Sequence, residues 1–154
     1  MTEPALMRPL TAAERAAVVA EAKSWLGTPW HHMADVKGAG VDCGMLLVRI
    51  YTDLGLAPKF DPRPYAQQWF LHQDEERYLA WVKKYCVQVE REETAAGDIQ
   101  LYQFGRTKSH GAIVVDDELM IHAYFQAEQV EIRERRAPLV RGHIDSYWSP
   151  RVPK

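Results

Sequence analysis

Hydrophobic positions in the first half of the chain recur with the period of an α-helix. Between Thr11 and Leu26 they form one apolar stripe made of Val18, Val19, Ala22, Trp25 and Leu26. Apolar residues three and four positions apart share a helix face. The sequence TAAE makes Thr11 the N-cap and places Glu14 where a capping box requires it. We therefore predict a helix over residues 11–26, ended by Gly27.

Two further helices are predicted before the middle of the chain. From about Asp42 to Leu54 the apolar residues lie on nearly every side, which is typical of a buried helix. Prolines at positions 58, 62 and 64 then indicate an irregular connection. The segment DEERYLAWVKKYC predicts a third helix over about residues 74–86.

The hydrophobic pattern changes in the second half, where short runs are rich in β-branched and aromatic residues. The runs VQVER, IQLYQF, GAIVV, LMIHAYF and VEIRE are separated by turn residues and predict strands, and YWSP predicts an edge strand. Helices followed by an antiparallel sheet are an α+β arrangement. The length of 154 residues predicts a single domain over 1–154, with its core over about 11–149.

Composition and charge limit the kinds of molecule that the protein is expected to bind. The chain is 47% hydrophobic and 26% charged, and its formal net charge is −2 with both signs interspersed. This balance gives no electrostatic basis for binding nucleic acid or an anionic membrane. The start of the chain lacks the basic and apolar regions of a signal peptide, so we expect cytoplasmic synthesis, with Cys43 and Cys86 reduced.

The stretch GVDCGMLL places Cys43 at the predicted start of the buried helix. The N–H groups and dipole at a helix N-terminus favour negative charge, and a neighbouring imidazolium adds to this effect. We therefore predict that the thiol pKa of Cys43 is lowered and that the thiol acts as a nucleophile. The alternative is that Cys43 is an inert thiol in the core.

Two histidines are predicted to converge in the stretch SHGAIVVDDELMIHAYF. A turn at residues 116–118 pairs Val115 with Leu119, which makes His110 and His122 diagonal neighbours on one face. We predict Cys43 as nucleophile, His110 as base and His122 as the residue that orients it, with helix N–H groups as oxyanion donors. A pair of histidines satisfied within the sheet stays the alternative.

Five motifs resemble, in order and spacing, those of the NlpC-type cysteine peptidases, which are papain-like enzymes that cut bacterial cell-wall peptides. They are LGTPW, VDCGMLL, AAGDIQLY, SHGAIVV and MIHAY, and they run from Trp25 to Tyr124. The resemblance implies a papain-like fold and assigns Cys43 as nucleophile, His110 as base and His122 as the third polar residue. It implies hydrolysis of a peptidoglycan stem peptide through an acyl-thioester, most often between D-glutamate and diaminopimelate.

A longer stretch, TPWHHMADVKGAGVDCG, together with the later HAY, is similar to the subgroup encoded in phage and gene-transfer-agent tail modules. This similarity implies a virion tail location and tail proteins as partners. Two other functions stay open. The chain could be a non-catalytic tail-tip or wall-binding module that keeps the fold, or an amidase or transamidase that acts on another amide.

The chain departs from the family pattern at three positions. Gly44 stands where the family usually has serine, but glycine keeps the backbone N–H that an oxyanion site needs. Trp30 stands where tyrosine is frequent and offers an indole N–H in place of a hydroxyl. Ala96 replaces a proline before GD, at a turn position.

Several other residues complete the predicted site. We predict substrate contacts for Trp30, His31, His32, Asp42, Gly44 and Ser109, with specificity in the loops at 30–32 and 105–109. We expect no cofactor, and no metal at the adjacent histidines, because the chain lacks a metal-binding spacing such as H-E-x-x-H. Cys86 is predicted to lie in the core, Asp98 to cap a turn, and the run RERR at 133–136 to be a solvated strand end.

Overall fold

A computed structural model describes residues 6–63, 75–104, 107–138 and 140–154, and the side chains of 75–79, 104 and 107–109 lie outside this description. Residues 105 and 106, part of the loop predicted to contribute to specificity, therefore lie outside the described residues. Three α-helices occur in the described part of the chain: α1 Ala12–Ser24, α2 Cys43–Asp53 and α3 Glu75–Tyr85. All three confirm the predicted helices within two residues at each end.

Helix α1 begins as its sequence predicts. The Glu14 N–H donates to Thr11 Oγ1 at 3.1 Å, and the Thr11 N–H donates to Glu14 Oε1 at 2.8 Å. This capping box satisfies two donors that the helix start would otherwise leave without partners. Past the helix end, Gly27 has a φ of 84°, a left-handed conformation that glycine adopts without strain.

Nine strands occur in the described part of the chain. They are β1 Met7–Pro9, β2 Asp35–Val36, β3 Gly40–Val41, β4 Cys86–Val89, β5 Ile99–Phe104, β6 Thr107–Val114, β7 Leu119–Tyr124, β8 Gln129–Glu134 and β9 Ile144–Pro153. Strands β2 and β3 form a small hairpin. The others form one antiparallel sheet in the order β1-β9-β5-β6-β7-β8, with β4 also paired to β9. This arrangement confirms the predicted α+β class.

The last strand corrects the sequence prediction. The segment around YWSP was predicted to be an edge strand, but β9 is ten residues long and lies inside the sheet. It pairs with β5 on one side and with β1 and β4 on the other. These partners are far away in sequence, so the local pattern of YWSP holds no information about them.

The two faces of the sheet are covered differently. The helices lie on one face, where Val18, Leu46, Ile113 and Ile121 are fully buried in a common core. The opposite face has a smaller cluster that includes Tyr102, Ala112 and Met120. Because side chains alternate along a strand, His110 and His122 belong to the face of this smaller cluster. Of the described helices, none has the length and apolar character needed to cross a bilayer.

Candidate active site

Helix α2 begins at Cys43 because Asp42 caps it. Asp42 has an extended conformation, its Oδ1 accepts the Met45 N–H at 2.9 Å, and its carbonyl accepts the Leu46 N–H at 3.0 Å. The first-turn N–H groups of Cys43 and Gly44 are directed to the Cys43 thiol instead. The cap therefore leaves two backbone donors at the position of the predicted nucleophile, as an oxyanion site requires.

The same aspartate holds the preceding loop. Asp42 Oδ2 accepts the Met33 N–H at 2.8 Å, and Met33 has a φ of 61°, which is uncommon for a residue with a side chain. Asp42 is only 2% exposed. Both of its carboxylate oxygens thus bind backbone N–H groups, and in this structure the residue anchors the loop and the helix rather than facing the solvent.

Cys43 meets strand β6 next to the predicted base. The Gly111 N–H also donates to the Cys43 thiol, and Gly111 directly follows His110. Gly111 is buried. The fold therefore places Cys43 against the strand that bears His110.

The hairpin of β6 and β7 has the predicted register. Ile113 pairs with Ile121 and Val114 with Met120, and the Val115 N–H donates to the Leu119 carbonyl across the turn. His110 Nε2 lies 2.8 Å from His122 Nδ1, a hydrogen-bond distance. The prediction that the two side chains meet on one face is confirmed.

Both imidazoles are held in their neutral form. Burial, followed by the charge of His122, keeps the pKa of His110 well below its usual value. Burial also lowers the pKa of His122, although the hydrogen bond and charge of Glu131 oppose this shift. At neutral pH the pair is therefore two uncharged rings, in which one nitrogen donates and the other accepts.

The Cys43 thiol differs from its prediction. Burial, and next the charge of Asp42, raise its pKa above the ordinary value, while the N–H groups of Gly44, Cys43 and Gly111 offset only part of the rise. The predicted lowering assumed an imidazolium beside the thiol. Since burial keeps His110 neutral, that positive charge is missing, and at rest the thiol is protonated and His110 is a neutral imidazole.

Glu131, which the sequence analysis missed, extends the histidine pair. It lies opposite His122 in the β7–β8 pairing, and its Oε2 is 2.8 Å from His122 Nε2. Arg133 binds the same carboxylate through Nε at 2.5 Å and Nη2 at 2.9 Å. The signal lay in the run VEIRE: a turn over residues 125–128 pairs Tyr124 with Gln129 and so places Glu131 beside His122.

The run RERR is therefore not simply a solvated strand end. Besides Arg133, it contains Arg135, which is 1% exposed and donates to Gln100 Oε1 at 2.9 Å and Thr94 Oγ1 at 3.1 Å. The prediction is wrong for Arg135 because the chain turns back over the sheet there, covering a side chain that sequence polarity alone places in water.

Aromatic rings surround the histidines and the loop before α2. Tyr124 is stacked on His122, with ring centroids 5.0 Å apart and planes 7° apart. Trp30 contacts Phe125 edge-on at 5.1 Å and lies 6.5 Å from the ring of His32. Phe125 is 59% exposed. The loop of Trp30 and the β7–β8 turn thus form one aromatic surface near the site.

The remaining predicted residues take varied positions. His31 is exposed, and His32 Nδ1 is 4.0 Å from Asp42 Oδ2. Gly44 is buried in the first turn of α2. The backbone of Ser109 belongs to β6, but its side chain lies outside the described part. Within the described ranges, no group of three or more His, Cys, Asp or Glu side chains is arranged to hold a metal ion.

Cys86 and Asp98 have the structural roles that the sequence predicted for them. Cys86 is 8% exposed and belongs to the main core. Asp98 is fully buried, and its Oδ2 accepts the Ala95 N–H at 2.9 Å, as a turn cap does. Its Oδ1 also pairs with Arg15 Nη1 at 2.7 Å, a contact that the sequence did not indicate.

Solved structures share this fold. An NlpC/P60 family protein from Bacillus cereus is 19% identical with a TM-score of 0.65, and the alignment covers 91% of this chain and 40% of that one. The NlpC/p60 domain of the peptidoglycan hydrolase SagA is 20% identical with a TM-score of 0.60, covering 86% and 96%. The peptidoglycan hydrolase RipB from Mycobacterium tuberculosis is 17% identical with a TM-score of 0.60, covering 94% and 70%.

The share of each protein that is covered and the sequence comparisons add to the structural similarity. The chain spans less than half of the Bacillus cereus protein but nearly all of the SagA domain. No curated protein sequence matches the chain. A family model described as NlpC/P60 matches residues 27–151, which include the helix start at Cys43 and both paired histidines. The chain therefore belongs to the NlpC/P60 family.

Proposed function

We propose that the protein is a cysteine peptidase that cleaves peptide stems of bacterial peptidoglycan. The observation that carries this proposal is the convergence at one point of three features. They are a helix-start thiol with backbone donors, the strand that bears His110, and a hydrogen-bonded His110–His122 pair. An inert core thiol needs none of these surroundings.

The chemistry follows from the neutral resting pair. The unprotonated nitrogen of His110 takes the thiol proton as Cys43 Sγ attacks the amide carbon. A tetrahedral oxyanion then forms near the N–H groups at the start of α2. The C–N bond then breaks as His110 gives the proton to the leaving amine, leaving an acyl-thioester. Water, deprotonated by the same histidine, hydrolyses the thioester and restores the thiol.

Family membership and the names of two similar structures, both peptidoglycan hydrolases, support the substrate class. Within that class we propose the bond between D-glutamate and diaminopimelate, because the sequence motifs resemble peptidases of that specificity. The aromatic surface of Trp30, His32 and Phe125 supports a substrate cleft on this side.

The tail setting is also a proposal, and the resemblance of the TPWHHMADVKGAGVDCG stretch supports it. In this setting the enzyme is carried on a phage-like tail, bound to tail proteins, and opens the wall during entry. Mass spectrometry of particles purified from the producing host tests it. Detection of the chain in the soluble cell fraction alone, with none in the particles, would contradict this setting.

The enzymatic proposal is tested by digesting purified diaminopimelate-type peptidoglycan and identifying the released fragments by mass spectrometry. Cys43→Ala is compared with Cys86→Ala, which removes the other cysteine, whose thiol lies in the main core. We expect Cys43→Ala to lose at least about 10³-fold in rate, and Cys86→Ala to stay within about threefold of the parent.

Each alternative function predicts a different outcome. A wall-binding module would bind peptidoglycan without releasing fragments, equally in the parent and in Cys43→Ala. An amidase or transamidase on another amide would leave the stem peptides intact, but would still form a Cys43-dependent acyl-enzyme with its own substrate. Either result would contradict the proposed peptidase activity.

A further inference from the structure

Beyond the cysteine and two histidines, the site holds an unbroken line of hydrogen bonds that ends on a carboxylate. His110 Nε2 meets His122 Nδ1 at 2.8 Å, and His122 Nε2 meets Glu131 Oε2 at 2.8 Å. His122 is fully buried and His110 is 6% exposed. Each nitrogen in this line therefore depends on its neighbour in the protein, rather than on water, for a partner.

The carboxylate determines which atoms carry protons along this line. Hydrogen bonds from Arg133 and His122 lower the pKa of Glu131, outweighing its burial, so Glu131 is ionised at neutral pH. An ionised carboxylate only accepts hydrogen bonds. His122 must therefore carry its proton on Nε2, and as a neutral ring it then has an accepting Nδ1.

The tautomer of His110 follows from that of His122. Since His122 Nδ1 accepts, His110 must donate from Nε2, and its proton is placed there. A neutral His110 then has an unprotonated Nδ1, the form that a base toward the Cys43 thiol requires. The wrong tautomer of a catalytic histidine cannot act as a base, and this is the known cost of replacing the orienting carboxylate in serine proteases.

The structure also holds Glu131 itself in place. Glu131 is the direct cross-strand partner of His122, and its side chain is 15% exposed. Arg133, two residues later on the same face of β8, binds both carboxylate oxygens. A two-point contact of this kind fixes orientation as well as charge.

We propose that Glu131 is a positioning residue that fixes both His122 and His110 as Nε2–H tautomers, with Arg133 holding Glu131 for this role. The tautomers are a property of the folded protein. Their consequence for catalysis, an unprotonated Nδ1 on His110 at Cys43, rests on the proposed peptidase function.

Glu131→Gln is the most informative variant. The glutamine has nearly the same shape, but one of its two terminal atoms is an NH₂ donor. In one orientation of the amide the NH₂ faces Arg133 alone, and in the other it faces both Arg133 and His122 Nε2. The side chain at position 131 is therefore no longer forced to accept a hydrogen bond from His122. Glu134→Gln is the matched control, because Glu134 is exposed on the opposite face of β8.

Long-range ¹H–¹⁵N NMR on protein labelled in its histidine nitrogens reads the tautomers directly. In the parent and in Glu134→Gln we expect His110 and His122 to be neutral Nε2–H tautomers. In Glu131→Gln we expect a mixture of tautomers at His122, carried over to His110. Two results would overturn the proposal: unchanged single tautomers in Glu131→Gln, or a His122 that is protonated on both nitrogens in the parent.

Kinetics on peptidoglycan fragments give the second readout. We expect Glu131→Gln to lower kcat by about 10- to 100-fold with KM nearly unchanged, since the carboxylate acts on the histidines and not on substrate. Glu131→Asp, which keeps the charge, should recover part of the loss. An unchanged kcat in Glu131→Gln would contradict the catalytic role. If no variant, including the parent, cleaves any fragment, the peptidase function fails while the NMR result still decides the tautomers.

Discussion

The two cysteines of this chain differ in exposure and in surroundings, since Cys86 is buried and Cys43 is half-buried. Burial raises the thiol pKa at both, for Cys86 to about 12, with the charge of Asp98 adding to the rise. Cys86 begins β4, pairs with Pro150 and is otherwise packed in the main core. Cys43 instead receives three backbone N–H groups beside a hydrogen-bonded histidine pair.

The resting pKa of a thiol therefore does not identify a nucleophile. Both thiols are protonated at neutral pH. Cys43 differs in that it receives backbone N–H groups, one of them from Gly111, the residue that follows the neutral His110. We therefore propose that Cys43 is a thiol activated during the reaction by His110, rather than a stored thiolate.

The largest effect is expected from His110→Ala. Removing the base should lower kcat on peptidoglycan fragments by about 10³- to 10⁴-fold, because His110 is the group that we propose takes the thiol proton. His143→Ala is the control, since His143 is exposed and its Nδ1 lies 3.1 Å from the Gln103 carbonyl oxygen, on the surface. A His110→Ala protein with more than a tenth of the parental kcat would contradict the assignment.

A smaller effect, on stability alone, is expected near Cys86. Asp98→Ala removes the partner of Arg15 and Ser149 and leaves the Ala95 N–H without its acceptor. We expect a loss of about 3 kcal/mol in the free energy of unfolding, measured with denaturant, since one partner of a buried ion pair is left uncompensated. The exposed Asp117→Ala should cost less than about 0.5 kcal/mol.

The activity of the Asp98→Ala protein, measured under conditions in which it is still folded, tests whether the Cys86 site and the Cys43 site are independent. Its kcat should stay near the parental value, because Asp98 supports the core around Cys86 and contacts no residue of the His110–His122–Glu131 line. A loss of kcat without a change in fold would show that the two sites are coupled.

The smallest effect on stability is expected from Asp42→Ala, which removes the cap of α2. The loss of one helix cap costs about 1 kcal/mol, and the Met33 contact adds to that figure. Asp53→Ala, at the exposed end of the same helix, is the control and should cost less than about 0.5 kcal/mol. Unlike Asp98→Ala, Asp42→Ala should also lower kcat, since the cap sets the orientation of the Cys43 and Gly44 N–H groups.

Local sequence patterns predicted much of this site. The capping residue before Cys43 set the start of α2, and the turn at 116–118 set a hairpin register that brings His110 to His122. Both features depend on residues close together in the chain. The family motifs then agreed with the fold and with the matched region of the chain.

Features that depend on distant parts of the chain were not predictable in this way. The central place of β9 results from pairing with β1, β4 and β5, and the burial of Arg135 results from the return of the chain over the sheet. The direction of the Cys43 pKa shift depends on how completely the fold excludes water from Cys43 and His110. Glu131 is an intermediate case, because its register could be drawn from the β7–β8 turn once that turn was recognised.

The most direct test of the central claim is the pH dependence of Cys43 alkylation, measured in Cys86→Ala so that one thiol reports. We expect a rate that keeps rising with pH beyond the ordinary thiol pKa of about 8.5, because burial favours the neutral thiol of Cys43 and the neutral imidazole of His110. A rate that reaches its plateau in the mildly acidic range would show a stored thiolate–imidazolium pair. That result would contradict the neutral resting state proposed for this site.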